Sequence, residues 1–360
     1  MSARDAVLVT GAGGLVGAEV VARLAAAGRP VIGLLHDNGR IIRNDGSEAA
    51  PVETVRGDIR QPRLGLSDVR ELGARVGMIV HSAATTAFDA TPGEYEQLNV
   101  RGTAEVIDLA RRWGVPLVHV STAYVCGVRS GVIAEDDLDV GQAFGNGYED
   151  SKFRAERLVR CTPGLRWTIV RPGIVTGAAA TGVIREYKNL YTVVKLIVEG
   201  KLRSLPGRYD ATIAPAPVDF VADVIATAAT DFESAEGRTH HAVGADALSL
   251  REISDVFAEY PSFRVATFVP ESSFAAADLD PLEREYFQRI GSLYTSYFAR
   301  RPAFDTTATR ALLGRDCPAT GKPYLRTLLD YCLESGYLGE PLPSVDEVLA
   351  RFAPSAGGDR

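Results

Sequence analysis

Residues 6 to 17 read AVLVTGAGGLVG, a short apolar and β-branched run followed at once by glycines at positions 11, 14 and 17. A buried strand that breaks into a glycine turn and then a helix leaves a chain few architectures to choose from. Gly11 permits the tight turn, Gly14 lets the backbone approach a pyrophosphate, and Gly17 lets the helix lie close on the strand. The phosphate would then rest on the helix N-terminus, where unpaired N–H groups point outward. The helix is expected to run through Ala27 and to stop at Gly28, with Pro30 just beyond.

The same alternation continues down the chain. PVIGLL (30–35), VETVRGD (52–58), GMIVHSAA (77–84), PLVHVST (116–122) and WTIVRP (167–172) read as further strands, and helices are expected over 93–113 and around Tyr148. Near-continuous apolar strands separated by helices predict an α/β fold with a doubly wound parallel sheet, the Rossmann arrangement. Its ligands bind at the carboxyl ends of the strands. After Gly173 the pattern changes. Residues 183–200 are expected to be helical, Asp219 to cap the helix DFVADVIATAAT, RTHHAV to form a strand, and Ser249 with Glu252 to form a capping box. The division predicted is a dinucleotide-binding domain over 1–175, a smaller, mostly helical C-terminal substrate lobe over 176–352 interleaved with the last sheet strands, and a flexible tail over 353–360.

The chain of 360 residues has a formal net charge of −7, which argues against a nucleic-acid binder with its basic stripe. No apolar run approaches the ~20 residues needed to span a bilayer. A strand and glycine turn that begin almost at the first residue leave no layout for a secretory leader, so a cytoplasmic protein is expected. Cys126, Cys161, Cys317 and Cys332 are scattered, without a CxxC pair or clustering with histidine. They are expected to be free buried thiols, and no metal site is predicted.

The end of the second strand usually carries an acidic residue for the cofactor ribose. Here Leu34 and Leu35 are followed by His36, with Arg40 and Arg43 shortly after. A missing carboxylate beside nearby cations favours a 2′-phosphate, hence NADP (NADPH) over NAD. The alternative places Arg40 and Arg43 on a solvated loop and gives the ribose to Asp37. Asp58, ending the third strand, is placed either to accept from the adenine amino group or to cap the following turn.

The fifth strand ends in HVSTAYVCG, which puts Ser121 or Thr122 where a substrate oxygen would lie. Tyr148 and Lys152 follow one helical turn apart. A free tyrosine has a pKa near ~10 and is a poor acid at neutral pH. A lysine one turn away, together with an oxidised nicotinamide, would stabilise the phenolate. Isolated YxxxK pairs are common, but a hydroxyl, a tyrosine and a lysine at the right strand ends of a nucleotide-binding fold point to catalysis.

TGAGGLVG, HSAAT, Asn99 in LNVRGT, VSTAYVCG, Tyr148 with Lys152 in YEDSK, and RPGIVTG together resemble the motif series of extended short-chain dehydrogenases/reductases over about 1–230. VHSAATTAFD, NGYEDSKFRAERLV and LPGRYDATIAPAPVDFVADVIA are most similar to the branch containing fatty acyl reductases and thioester-reductase domains, the male-sterility type. The resemblance implies an oxidoreductase in which Thr122 rather than Ser121 holds the substrate oxygen, Tyr148 is the acid/base and Lys152 binds the ribose. It implies that Asn99 steadies the lysine and a relay water. Cofactor contacts are implied at Gly11, Gly14, Leu15, Val16, Gly17, His36, Arg40, Asp58, Ile59, Ala83, Ala84, Lys152, Pro172, Gly173 and Ile174. No fused adenylation or carrier domain is read in this sequence.

The reading is an NADPH-dependent reductase of a ketone, aldehyde or acyl thioester. An NAD-retaining nucleotide-sugar epimerase or dehydratase is the alternative, against which Ala123 and Tyr124 follow Thr122 with no acidic pair. A silent nucleotide-binding protein is the third, against which the three catalytic residues are intact. The expected partner is a small hydrophobic substrate, free or carried on CoA or a carrier protein, with a homodimer left open. The aromatic-rich segments 184–202 and 285–304 suit an acyl substrate, although helix packing accounts for most of them. Lys188, Lys195, Lys201, Arg203 and Arg208 are read as solvated surface rather than as a CoA-phosphate site.

Overall fold

The central strand-forming runs are apolar on both faces and assemble side by side, with the polar, exposed run Glu53–Arg56 at one edge. In the computed structural model, which describes residues 4–36, 39–49 and 53–339, β1 (Ala6–Thr10), β2 (Val31–Leu35), β3 (Glu53–Arg56), β4 (Val76–His81), β5 (Leu117–Val120), β6 (Trp167–Pro172) and β7 (Thr239–Ala242) form a seven-stranded sheet. Its order is β7-β6-β5-β4-β1-β2-β3 and every pairing is parallel. The order reverses at β1, which lies between β4 and β2, so the ligand crevice is expected above the ends of β1 and β4.

Alternation along β1 shows how both faces are filled. Val7 and Val9 pack with Val21 and Leu24 of α1 (Leu15–Ala26), and also with Val221 and Val224. Ala6 and Leu8 pack on the opposite side with Val106, Leu109 and Trp113 of α2 (Gly102–Trp113). Helices α3 (Gly147–Cys161), α4 (Leu190–Val198) and α5 (Val218–Thr230) follow. Strand β7, late in the chain, returns to the sheet edge beside β6. A separate core of aromatic and aliphatic side chains, including Tyr191, Val194, Phe257, Phe268, Phe298 and Leu329, builds the C-terminal lobe.

Several expectations need correction. The helix predicted over 93–113 is interrupted by a π-helical turn at Glu96–Arg101, between a short helix at Pro92–Tyr95 and α2. Only Leu190–Val198 of the 183–200 segment is helical, because Asn189, at φ 50, begins the helix there. Asp219 does not cap α5: Pro217 does, and the Asp219 carboxylate accepts from the Ala179 N–H at 3.0 Å. The lobe mixes short strands and 3-10 turns with its helices. The Ser249–Glu252 capping box is present with both its hydrogen bonds. Cys126, Cys317 and Cys332 are buried free thiols, but Cys161, in the last turn of α3, is exposed. Asp37 and the segment 353–360 lie outside the described residues.

Candidate active site

The glycine turn forms one end of a cavity of about 320 Å³ that runs across the carboxyl ends of β1, β4, β5 and β6. Gly11 has φ +70, and a Cβ there would stand 2.7 Å from the Ala83 nitrogen; a Cβ on Gly17 would overlap the Gly11 carbonyl. These positions accept glycine alone, which keeps the floor of the cavity bare backbone. Gly14 precedes α1 as its N-cap, without a side-chain cap and with no acidic residue in the first turn. That leaves the helix N-terminus as a cradle for a dinucleotide pyrophosphate.

Two residues that the sequence did not announce brace this turn. Arg185 donates to the Gly13 carbonyl at 2.9 Å, and Asn44 donates to the Leu15 carbonyl at 2.9 Å. The Arg185 N–H also donates to Asn44 Oδ1 at 3.3 Å. No spacing in the sequence connects positions 13, 44 and 185, so only the folded chain reveals the clamp.

Thirteen of the candidate residues line this one cavity: Gly11, Gly14, Leu15, Val16, Gly17, Ala83, Ala84, Thr122, Tyr148, Lys152, Pro172, Gly173 and Ile174. The others lie elsewhere. Arg40 is exposed and paired with Glu48 at 2.6 Å. The Arg43 side chain reaches Asp45 at 3.2 Å and Glu19 at 3.5 Å. His36 Nε2 stands 2.9 Å from Arg60 and 3.4 Å from Asp58. Asp58 accepts from the Arg60 backbone N–H at 2.9 Å, the turn-capping alternative, and the Arg60 guanidinium holds its carboxyl below the usual range. The cation nearest His36 is therefore Arg60, a residue missed in the sequence. The Ile59 side chain is buried in the core under α2.

Thr122 ends the extended run of β5, after which a 3-10 turn at Ala123–Cys126 and Gly127 at φ 63 turn the chain away. Its hydroxyl donates to the Pro172 carbonyl at 3.4 Å and lies close enough to the Tyr148 phenol to favour its ionised form. Tyr148 sits in the first turn of α3, set by Asn146, whose side chain accepts from the Glu149 N–H at 3.0 Å. Burial pushes the Tyr148 phenol up to about 12, against the pull of the Thr122 hydroxyl, and the Glu149 charge adds to the rise. Lys152, 2% exposed, donates to the Val120 carbonyl at 2.8 Å, and burial pushes it down to about 8. In the protein alone Lys152 is not among the groups that move the phenol.

Asn99 is 1% exposed and lies behind the cavity. Its Oδ1 accepts from the Thr85 N–H at 2.9 Å, and its Nδ2 donates to the Thr85 carbonyl at 3.1 Å and to Ser151 Oγ at 2.8 Å. Ser151 in turn donates to the Tyr148 carbonyl at 2.8 Å. The amide thus ties the loop after β4 to the catalytic helix and makes no direct bond to Lys152; it is a positioning residue placed by the π turn.

A family model described as male sterility protein matches residues 9–225. The chain belongs to the male sterility protein family. Within this family it is similar to an isonitrile lipopeptide synthase of Streptomyces coeruleorubidus, 31% identical over 53% of this chain and 14% of that protein. It is also similar to the L-2-aminoadipate reductase large subunit of Eremothecium gossypii, 27% identical over 81% of this chain and 22% of that protein. The chain spans well under half the length of these relatives. Among solved structures, the terminal R domain from the myxalamid PKS-NRPS pathway superposes with a TM-score of 0.79 at 26% identity, covering 94% of this chain and 93% of that one. A UDP-galactose 4-epimerase shares the fold, with a TM-score of 0.64 at 18% identity, covering 92% of this chain and 99% of that one. This male sterility family member is an NAD(P)-binding oxidoreductase of the extended short-chain dehydrogenase/reductase type, similar to fatty acyl and thioester reductases. Among the described residues no helix is long and apolar enough to cross a membrane.

Proposed function

We propose that the chain is an NADPH-dependent reductase that converts an acyl thioester to an aldehyde. The observation that carries this reading is the meeting of Thr122, Tyr148 and Lys152 in the same cavity as the glycine turn. Relatives named as fatty acyl-CoA reductase and as lipopeptide synthase favour an acyl group carried on CoA or a carrier protein over a free ketone.

NADPH would be held by Gly11 to Gly17, by Ala83 and Ala84, and by Pro172 to Ile174, and it supplies the hydride. Thr122 holds the substrate carbonyl oxygen against Tyr148. As hydride reaches the carbonyl carbon, the π-bond pair moves to oxygen, which takes the phenol proton. The resulting thiohemiacetal breaks its C–S bond: the oxygen returns its proton to the Tyr148 phenolate, the carbonyl reforms, and the departing thiolate takes a proton from solvent to leave as thiol. Lys152 would supply a cation for the cofactor ribose and would steady the phenolate left on Tyr148 until it is reprotonated.

The test is cofactor oxidation with NADPH or NADH against matched acyl-pantetheine, aldehyde and ketone substrates, with UDP-sugars alongside. Consumption of NADPH with the thioester is the expected result. Conversion of a UDP-sugar without net cofactor oxidation would move the protein to the epimerases.

A further inference from the structure

The wall beside the catalytic phenol is aromatic. Phe88, from the loop after β4, has its ring centroid 5.7 Å from Tyr148 and 5.2 Å from Tyr294. It stacks nearly parallel on Tyr297, at 5.5 Å and 10°. Phe88 and Tyr294 are only partly buried and line the cavity, with buried Tyr297 behind them. Leu190 and Val193 of α4 also line the cavity, so the apolar surface is not confined to one side.

Charge is nearly absent from the same space. Among the described residues the charged side chains lining the cavity are Lys152, Glu186 and Lys188. Lys152 is bonded to the Val120 carbonyl, and Glu186 is held by Lys188 at 2.5 Å and by Arg185 at 3.0 Å. Arg300, whose guanidinium lies 4.2 Å from the centre of the Tyr297 ring, is matched by Glu149. A carboxylate or ammonium on the acyl group would lose its water here and would have to compete for a partner already engaged: Lys152 with the Val120 carbonyl, Glu186 with Arg185 and Lys188.

We infer that this site takes an uncharged acyl group carrying an aromatic ring, or a comparably flat unsaturated segment, close to the carbonyl. It discriminates against acyl groups that bear their own charge, as an amino-acid-like acyl group would. The inference rests on the reductase reading. Phe88 and Tyr294 line the same cavity as Thr122 and Tyr148, with Phe88 5.7 Å from the catalytic ring, so an acyl substituent held with its carbonyl oxygen at Thr122 and Tyr148 has these rings for a wall. An offset or edge-to-face ring pair there adds about two- to ten-fold over a saturated ring of similar size.

The experiment compares phenylacetyl, cyclohexylacetyl and glutaryl thioesters of pantetheine, and separately titrates the NADP-loaded protein with 2-phenylethanol and 2-cyclohexylethanol. The phenylacetyl ester is expected to exceed the cyclohexylacetyl ester by two- to ten-fold in kcat/KM, and the glutaryl ester by at least a hundred-fold. 2-Phenylethanol should bind two- to ten-fold more tightly than its saturated counterpart, and Phe88→Leu should bring both ring ratios to within two-fold of unity. Equal or reversed ring ratios, or a glutaryl ester within ten-fold of the phenylacetyl ester, would overturn the inference while leaving a turning-over reductase intact. Absence of turnover with every carbonyl, together with the predicted alcohol preference, would sink the reductase reading and keep the pocket preference.

Discussion

Arg300 and Glu149 form an ion pair at 2.5 Å with side chains 2% and 0% exposed. Glu149 follows Tyr148 on α3, and Arg300 comes from the distant C-terminal lobe, where it also donates to the Gly127 carbonyl at 2.5 Å. The pair binds the lobe to the start of the catalytic helix, beside the phenol that the Glu149 charge helps to raise.

Removing one partner leaves the other charged, buried and alone, which typically costs about 3–5 kcal/mol. Arg300→Met should therefore lose about that much in urea unfolding, and Arg300→Met combined with Glu149→Gln should recover most of it. If the double variant is no more stable than the single one, the pair does not act as described.

The pH dependence of cofactor binding should follow Lys152 rather than Tyr148. Lys152 is pushed down to about 8 and Tyr148 up to about 12, so the ammonium is lost well before the phenol. Below about pH 8 the lysine is charged and can serve the ribose; as pH rises through that value, NADPH affinity should fall several-fold. Lys152→Met should bind weakly throughout and lose the step. Folding stability has the opposite sign: the unfolded lysine keeps its proton to higher pH, so stability gains as pH rises above about 8. A fluorescence titration of NADPH from pH 6.5 to 9.5 checks the binding limb, and a wild-type affinity flat across it would contradict the assignment.

Arg60, which stands 2.9 Å from His36 and is paired with Asp58, should matter more for the 2′-phosphate than Arg40, which is 71% exposed and paired with Glu48. Arg60→Ala should weaken NADPH by about ten-fold, as the loss of one charge-assisted contact does, while changing NADH little. Arg40→Ala should leave both within about two-fold. The reverse pattern in paired binding titrations would return the phosphate site to Arg40.

What the sequence disclosed here was local. The strand, glycine turn and helix of residues 6–26, the Ser249–Glu252 box and the Tyr148–Lys152 spacing are each set by neighbours a few positions apart. They stand in the structure much as read. Arg300, Arg185, Asn44 and Arg60 were invisible because their roles come from contacts across long stretches of chain. The 183–200 segment misled for a related reason: its apolar period suits a helix, yet Arg185 is drawn out to the glycine turn and Asn189 takes a left-handed φ. The π turn around Asn99 has no period of its own to read, although it places the amide that links Thr85 to Ser151.

The most direct test of the account is the ratio of thiol released to NADPH consumed with an acyl-pantetheine substrate, for the wild type and for Tyr148→Phe. The account predicts one thiol per NADPH when the aldehyde is trapped as it forms. It also predicts a loss of at least a hundred-fold in rate for Tyr148→Phe, with NADPH affinity kept within a few-fold. NADPH consumption without thiol, or undiminished turnover in the phenylalanine variant, would contradict it.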